Sequence, residues 1–317
     1  MPVLSIISCG MLEDELTHIL SEDKELAHLI VVDVEENYGL ARKLRAQNRP
    51  FLTADLAEIS ILLNSKHHVT PFSRKHVTRT RVVEAVLRLL HGRNVNDVVV
   101  ANVLKMDLHG SPEQLKREVY RNIESMSSFS NGVLVLYGLC ESLRDLERDF
   151  AGCQPPLYFL TDEYGARVED CIALALGGNQ SFQQTSSIHS NVVFFSTPMW
   201  AANWHSANTD QQMAQSVERL LKLARVKLKL EVAKVDIGLR YEPNFDENTR
   251  DYARQRHLRV VQLKGSTDIV DRCYQKAKTS IRERTLPFGP TECTSREETA
   301  KNVNAALTQS GHKAMQK

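Results

Sequence analysis

Short apolar segments alternate with amphipathic segments along this 317-residue chain, and this alternation is the feature that most constrains its fold. Val3–Ser8 is rich in branched apolar residues, and Gly132–Tyr137 is almost wholly apolar, whereas Met11–Leu20 repeats leucine and isoleucine at helical spacing. Strands that are apolar on both faces belong to parallel sheets covered by helices. The sequence therefore predicts an α/β fold with a mostly parallel, Rossmann-like sheet and helices on both faces.

The same periodicity predicts the other elements and the domain organisation. Further strands are predicted at 29–34, 97–103, 157–160, 192–196 and 258–263. Further helices are predicted at 37–47, 73–91, 111–127, 141–150, 166–176, 210–235 and 267–279. We interpret residues 1–284 as an α/β domain, with two closely packed lobes as the alternative. Residues 285–317, rich in Pro, Thr, Glu and Lys, are expected to form a flexible or partner-packed tail.

Charge and composition restrict the class of protein. The net charge is +1, with 40 basic and 39 acidic residues, which argues against a dedicated nucleic-acid-binding protein. The chain has no apolar run long enough for a transmembrane helix, and its first residues read as a strand and not as a signal peptide. We therefore expect a cytoplasmic protein that does not enter membranes, with a homodimer as the default assembly.

Three of the six cysteines occupy equivalent positions. Cys9 follows the first strand, Cys140 follows Gly132–Tyr137, and Cys171 lies early in the helix predicted after 157–160. Because the carboxyl ends of parallel strands meet at one edge, these thiols should come together. Helix N-termini at that edge lower thiol pKa values and favour thiolate, the form that binds metals. The alternative is that each cysteine is a small buried hydrophobic residue.

Other candidate residues are predicted at the same edge. His109 follows a strand and precedes a helix that starts with proline, so it is the best candidate for a fourth ligand or a cofactor contact. Glu169 and Asp170 immediately precede Cys171 and are candidates for proton transfer. Trp200 could line a pocket for a cofactor. A surface histidine and a core tryptophan are the alternatives for His109 and Trp200.

Several features argue against more familiar sites. The acidic residues Glu13–Glu15 lie in the first turn of a helix, where carboxylates interact favourably with the helix dipole, and that account is sufficient for most of them. The chain has no G-x-G-x-x-G after its first strand and no P-loop, G-x-S-x-G or H-E-x-x-H motif. Conventional dinucleotide binding and the common hydrolase mechanisms are therefore not expected.

Five short motifs resemble the signatures of one family. They are I-I-S-C-G around Cys9, L-H-x-x-P around His109, Y-G-L-C ending at Cys140, D-C-I around Cys171 and F-S-T-P-M-W ending at Trp200. In this order they resemble a family catalogued only as a domain of unknown function. That family is common in methanogenic archaea and anaerobic bacteria, often near genes for corrinoid-dependent methyltransferases. The resemblance implies a shared site, but the family supplies no reaction.

Two positions depart from the family pattern. Glu169 stands where the family usually has a histidine, and Met199 stands where it usually has a glycine. If that histidine is a ligand or an acid in the family, this member differs in metal, affinity or activity.

The leading hypothesis is a metal-binding or iron–sulfur protein in which Cys9, Cys140 and Cys171 hold a zinc ion or a cluster. Three protein ligands leave one coordination position open for substrate, as an enzyme of sulfur or methyl-group transfer requires. The partner would be a small-molecule substrate or a corrinoid protein. One alternative is a non-catalytic accessory protein for a corrinoid methyltransferase. Another is a metal-free enzyme that uses one cysteine as its nucleophile.

Overall fold

A computed structural model describes residues 2–64, 97–140, 142–190, 192–205 and 230–284. The strands in these residues are β1 (Val3–Cys9), β2 (His28–Val32), β3 (Leu52–Ala54), β4 (Val98–Leu104), β5 (Gly132–Leu136), β6 (Leu157–Phe159), β7 (Val192–Ser196), β8 (Glu231–Asp236) and β9 (Arg259–Lys264). The helices are α1 (Glu13–Glu22), α2 (Tyr38–Ala46), α3 (Leu56–Asn64), α4 (Pro112–Ser127), α5 (Leu146–Asp149), α6 (Cys171–Ala175), α7 (Asn179–Ile188), α8 (Pro198–Asn203), α9 (Phe245–Gln255) and α10 (Asp268–Glu283). Short 3-10 helices occupy Gly10–Leu12, Glu35–Asn37 and Met106–Gly110.

The larger sheet has six strands in the order β3-β2-β4-β1-β5-β6, and every pair is parallel. All residues of the central strands β1, β4 and β5 are buried. Parallel strands require crossover connections, and the helices in those crossovers cover the sheet. The predicted α/β, Rossmann-like architecture is therefore confirmed.

A second parallel sheet, in the order β7-β8-β9, was not predicted as a separate layer. Its central strand β8 lies where the sequence predicted the end of a helix over 210–235, so that prediction is wrong from Glu231 onward. Residues 206–229 lie outside the described part of the chain. The error has a physical reason: the six residues of β8, E-V-A-K-V-D, are too few for their spacing to distinguish a strand from the end of a helix, and the strand lies between two neighbouring strands.

The sequence predicted two other helices as too long and did not predict some helices at all. The helix predicted at 141–150 is confined to α5, and the one predicted at 166–176 is confined to α6. The residues before α6 are extended, because Arg167 forms an antiparallel bridge with Thr161. The sequence did not predict α7 or α9. The helix predicted at 73–91 and the tail from 285 lie outside the described residues.

The carboxyl ends of the second sheet contact segments at the carboxyl edge of the first. Helix α8, which follows β7, packs against Gly10–Leu12, the segment directly after β1. After β9, the backbone N–H of Ser266 donates to the Ala175 carbonyl at 2.9 Å, at the end of α6. Ligands of open parallel sheets bind beyond the carboxyl ends of the strands. The two sheets therefore share the region in which each would bind a ligand.

A buried lysine links the two sheets electrostatically. The Lys43 ammonium, 4% exposed, lies 2.6 Å from Asp14 Oδ1, 2.8 Å from Glu13 Oε1 and 2.7 Å from Glu242 Oε1. It also lies 2.9 Å from Met199 Sδ. Glu242 follows β8 and Met199 follows β7, so the second sheet supplies two of these four contacts. Burial disfavours the ammonium, but the carboxylates of Glu13 and Asp14 outweigh that effect and raise the pKa of Lys43.

We predict that Lys43→Met lowers the free energy of unfolding by roughly 3–5 kcal/mol, because buried carboxylates would lose their counter-charge. The matched control is Lys105→Met, whose ammonium is 61% exposed and 3.3 Å from Glu36. That change should alter stability by no more than about 0.5 kcal/mol. Urea denaturation of both variants measures the difference. Equal stabilities for the two variants would contradict the role given to Lys43.

Candidate functional site

Cys9 ends β1 and is held in a fixed position at the carboxyl edge. Its side chain is 2% exposed. The thiol accepts a hydrogen bond from the Met11 backbone N–H at 3.4 Å and so caps the 3-10 helix that follows. Its sulfur lies 3.0 Å from His109 Nε2, and the histidine tautomer decides which atom donates. Strand β1 and the helix after it therefore aim this thiol at the histidine.

Cys140 follows β5 through a turn that packs tightly on the segment before α6. A side chain at Gly138 would place its Cβ 2.7 Å from both the Asp170 Cα and the Glu169 carbonyl oxygen, so only glycine fits there. The Cys140 backbone N–H donates to that carbonyl at 3.0 Å. Cys140 itself has φ of +40°, in the left-handed region that side chains rarely adopt. The surrounding contacts thus impose a strained backbone on this thiol, as occurs often at functional sites.

Cys171 begins α6 and does not lie within a longer helix. Asp170 is the N-cap, and its Oδ1 accepts hydrogen bonds from the backbone N–H groups of Ile172 at 2.9 Å and Ala173 at 2.8 Å. Glu169 has an exposed side chain, and its carbonyl holds the Cys140 turn. The structure therefore gives Asp170 and Glu169 roles in positioning the two cysteines. Their predicted part in proton transfer stays a prediction.

These residues come from neighbouring strands of the larger sheet. His109 follows β4, Cys9 ends β1, Cys140 follows β5, and Cys171 comes after β6, in the spatial order β4-β1-β5-β6. The three thiols affect one another's ionisation, since Cys9 and Cys140 both raise the pKa of Cys171, and Cys140 raises that of Cys9. The structure thus brings Cys9, Cys140, Cys171 and His109 together.

Burial controls the ionisation of the thiols. It is the largest cause that raises the pKa of Cys9 to about 12 and the pKa of Cys140 to about 11. It also raises the pKa of Cys171 well above its usual value. The expectation that these thiols would have lowered pKa values is therefore wrong, because desolvation outweighs the backbone hydrogen bonds that lower the pKa of Cys9 and Cys140. Without a bound cation, all three groups are thiols at neutral pH.

Two residues around the thiols shape the local charge. Burial lowers the pKa of His109, and Asp170 opposes that shift. The His109 imidazole is therefore mostly neutral at pH 7. The Arg167 guanidinium lies 4.5 Å from the centroid of the Phe159 ring and donates to the Leu143 carbonyl at 3.1 Å. Arg167 lowers the pKa of Cys140, but this effect is smaller than that of burial.

The sequence interpretation weighed Glu15 as an acidic candidate but favoured the helix-dipole account for most of Glu13–Glu15 and did not place it in the site. The Glu15 side chain is 3% exposed, and burial is the largest cause that raises its pKa to about 8. Its carboxyl group in turn raises the pKa of Cys9 and Cys171. The signal was present in the sequence: three consecutive acidic residues on a helix point in different directions, so they cannot all face solvent. Glu15 adds a titratable proton next to two of the thiols.

Trp200 lies on α8, in the core of the second sheet, and is 6% exposed. Its ring packs on Phe194, with ring centroids 4.1 Å apart, and on Tyr252, with centroids 4.6 Å apart. Met11, two residues after Cys9, packs against this aromatic cluster. Trp200 is therefore a core residue near the site, and its predicted contact with a cofactor stays a prediction.

The side-chain positions do not by themselves form a metal site. Within residues 2–64, 97–140, 142–190, 192–205 and 230–284, no group of three or more His, Cys, Asp or Glu side chains is arranged to hold a metal ion. The predicted zinc ion or iron–sulfur cluster stays a prediction. None of the helices in these ranges has the length and apolar character needed to cross a membrane.

We predict that Gly138→Ala destabilises the protein by roughly 2–3 kcal/mol, since the added methyl group would collide with the backbone of Asp170 and Glu169. Gly152→Ala is the matched control, because its Cβ would meet nothing within 4 Å and only its φ of +84° opposes the change. That control should lose only about 1 kcal/mol. Urea denaturation measures both, and a smaller loss for Gly138→Ala than for the control would show that the turn can separate from the segment before α6.

Glu15 should make stability depend on pH. Its pKa rises from 4.5 to about 8 on folding, so its contribution is fully present below pH 4.5 and is lost as the pH rises toward 8. Glu15→Gln removes this titration. Between pH 4.5 and pH 8 the free energy of unfolding of the wild type should therefore fall by roughly 3–5 kcal/mol relative to that of the variant. Urea denaturation at both pH values tests this, with Glu22→Gln, an exposed glutamate on α1, as the control. A pH-independent difference between Glu15→Gln and the wild type would refute the raised pKa.

Comparison with known proteins identifies the family. The model of the family described as "Protein of unknown function (DUF1638)" matches residues 103–274, which is more than half of the chain. The match includes His109, Cys140, Cys171 and Trp200, whereas Cys9 lies before it. No curated protein and no solved structure matches the chain. The chain belongs to the DUF1638 family of proteins of unknown function.

Proposed function

We propose that this protein binds a thiophilic metal centre, a zinc ion or an iron–sulfur cluster, through Cys9, Cys140 and Cys171. One observation carries the proposal. The buried Cys9 and the half-buried Cys140 and Cys171 come from distant parts of the chain to the edge of a parallel sheet where ligands bind, and they lie close enough that Cys9 and Cys140 both raise the pKa of Cys171.

The chemistry of the donor set fits such a centre. Thiolate sulfur and neutral imidazole are the ligands that zinc takes in proteins, and thiolates hold iron–sulfur clusters. A coordinated metal deprotonates its thiols and offsets the repulsion between the resulting charges, which burial alone would make unfavourable. Because the present side-chain positions do not surround one point, binding requires the thiols to turn toward each other. Such turns are side-chain rotations of Cys9 at the end of β1, of Cys140 in the turn after β5 and of Cys171 at the start of α6.

The surrounding residues have distinct tasks in this proposal. Cys9, Cys140 and Cys171 hold the centre, and His109 orients the Cys9 sulfur through its 3.0 Å contact. Glu15, with its pKa raised to about 8 by burial, holds a proton at neutral pH and can exchange it there. A centre with three protein ligands supplies one open position for a sulfur ligand. We therefore propose sulfur or methyl-group transfer as the reaction class, with a small-molecule thiol or, from the family resemblance, a corrinoid protein as partner.

The Cys9–His109 contact supports a second candidate function, a metal-free cysteine nucleophile. A thiol 3.0 Å from an imidazole is the arrangement in which a base activates a nucleophile. Against it, burial raises the pKa of Cys9 to about 12, so little thiolate is present at neutral pH. This candidate requires Cys9 alone, whereas the metal centre requires all three cysteines.

Metal analysis of protein purified without oxygen distinguishes the metal centre from the metal-free cysteine nucleophile. We expect about one zinc per chain, or iron with acid-labile sulfide and broad visible absorbance. Cys9→Ser, Cys140→Ser and Cys171→Ser should each lose the metal, because three ligands are the minimum for such a centre.

The matched control is Cys273→Ser, since Cys273 is a buried cysteine that contacts Thr161 away from the three thiols. It should keep the full metal content, and circular dichroism should show that all four variants are folded. If wild-type protein takes up neither zinc nor iron, and Cys9, Cys140 and Cys171 react freely with a thiol reagent, the metal proposal is refuted. Loss of activity confined to Cys9→Ser would then favour the nucleophile.

A further inference from the structure

Cys140 and Cys171 belong to two backbone segments that are hydrogen-bonded to each other. The backbone N–H of Leu139 donates to the Val168 carbonyl at 2.9 Å, and that of Cys140 donates to the Glu169 carbonyl at 3.0 Å. Cys171 follows Glu169 by two positions. The fold therefore holds these two cysteines, which are distant in the sequence, on adjoining segments.

The turn that carries Cys140 is fixed on the other segment at two further places. Gly138 packs so closely on the backbone of Asp170 that a Cβ would lie 2.7 Å from its Cα. The Arg167 side chain donates to the Leu143 carbonyl at 3.1 Å and to the Gly138 carbonyl at 3.5 Å, one on either side of Cys140. These contacts keep the turn against the segment that precedes α6.

Within the three-thiol group, Cys140 and Cys171 are the members that solvent reaches. Both residues are half-buried, whereas Cys9 is buried and its sulfur lies 3.0 Å from His109 Nε2. Burial is the largest cause that raises the pKa of Cys171, and the charge of Cys140 adds to it, so one sulfur acts on the other. Burial also raises the pKa of Cys140, but the Arg167 guanidinium opposes that shift and favours the thiolate. Cys140 is therefore the better placed of the two to react first.

The spacing of the two segments suits a covalent link between the sulfurs. Adjoining hydrogen-bonded segments run about 5 Å apart, and a disulfide needs Cα atoms less than about 7 Å apart. We propose that Cys140 and Cys171 form a reversible disulfide by exchange with a small disulfide such as oxidised glutathione. The reaction goes beyond the proposed function and needs no bound metal. It consumes two of the three thiols of the proposed centre, so the oxidised protein cannot hold that centre.

The exchange takes two steps. The Cys140 thiolate attacks one sulfur of the small disulfide and breaks its S–S bond, which leaves a mixed disulfide on Cys140, and the departing thiolate takes up the proton that Cys140 released. Cys171 then gives up its proton and attacks the Cys140 sulfur. The protein disulfide forms, and the second small thiol leaves with that proton. The two cysteines lose two electrons and two protons in total, and the small disulfide gains them.

The test exposes the full-length protein, freed of metal by dialysis against a chelator, to oxidised glutathione in the absence of oxygen. Alkylation in denaturant should then count two fewer free thiols than the six cysteines of the reduced chain. Trypsin cleaves after Arg144 and Arg167, so it separates the two cysteines from each other. Mass spectrometry of the unreduced digest should find the Cys140 and Cys171 peptides joined, and dithiothreitol should separate them.

Cys9→Ser is the matched control, because it removes the third thiol of the group and should still form the disulfide between Cys140 and Cys171. Cys171→Ser should stop at the mixed disulfide and keep one glutathione on Cys140. Circular dichroism shows whether both variants are folded, and the peptide map of the wild type does not depend on either of them.

Three results with the wild type would overturn the inference. They are a chain that keeps all six thiols, one that keeps glutathione on Cys140 without an internal disulfide, and one that joins Cys140 or Cys171 mainly to another cysteine. Absence of zinc and iron from the purified protein would refute the proposed function, but the metal-free protein would still form this disulfide. The two failures are therefore distinguishable.

Discussion

The parallel alignment of β4, β1, β5 and β6 is the constraint on which the rest of the site depends. Because these strands run in one direction, the segments that follow them leave the sheet at the same edge. His109, Cys9, Cys140 and Cys171 are far apart in the chain, yet each is delivered to that edge by its own strand. An antiparallel strand among the four would have sent one of these side chains to the opposite end of the sheet.

Two buried polar clusters near this edge differ in their charge balance. In the first, the Lys43 ammonium contacts carboxylates of Glu13, Asp14 and Glu242, so the cationic charge is satisfied and the second sheet is held against the first. In the second, formed by the thiols and Glu15, burial raises the pKa of each group, and at Glu15 it outweighs the opposing charge of Lys43. A bound metal cation would give the thiol cluster the counter-charge that Lys43 gives the carboxylates.

Met199 and Glu169, the two positions at which the resemblance implied a departure, have structural roles. Met199 places its sulfur 2.9 Å from the Lys43 ammonium and belongs to the contact between the sheets. Glu169 exposes its side chain, while its carbonyl accepts the hydrogen bond that fixes the Cys140 turn. That carbonyl is available whichever side chain is present.

The sequence by itself determined the fold class and the placement of the thiols after strands. Apolar strands and helical spacing are local patterns, and the strands of a parallel sheet all end at one edge. The sequence did not determine the second sheet, since β8 is too short for its periodicity to distinguish strand from helix. Only the tertiary structure decided the ionisation of the site. Burial depends on what packs above a residue, so the raised pKa values of the thiols and of Glu15 have no counterpart in spacing or composition.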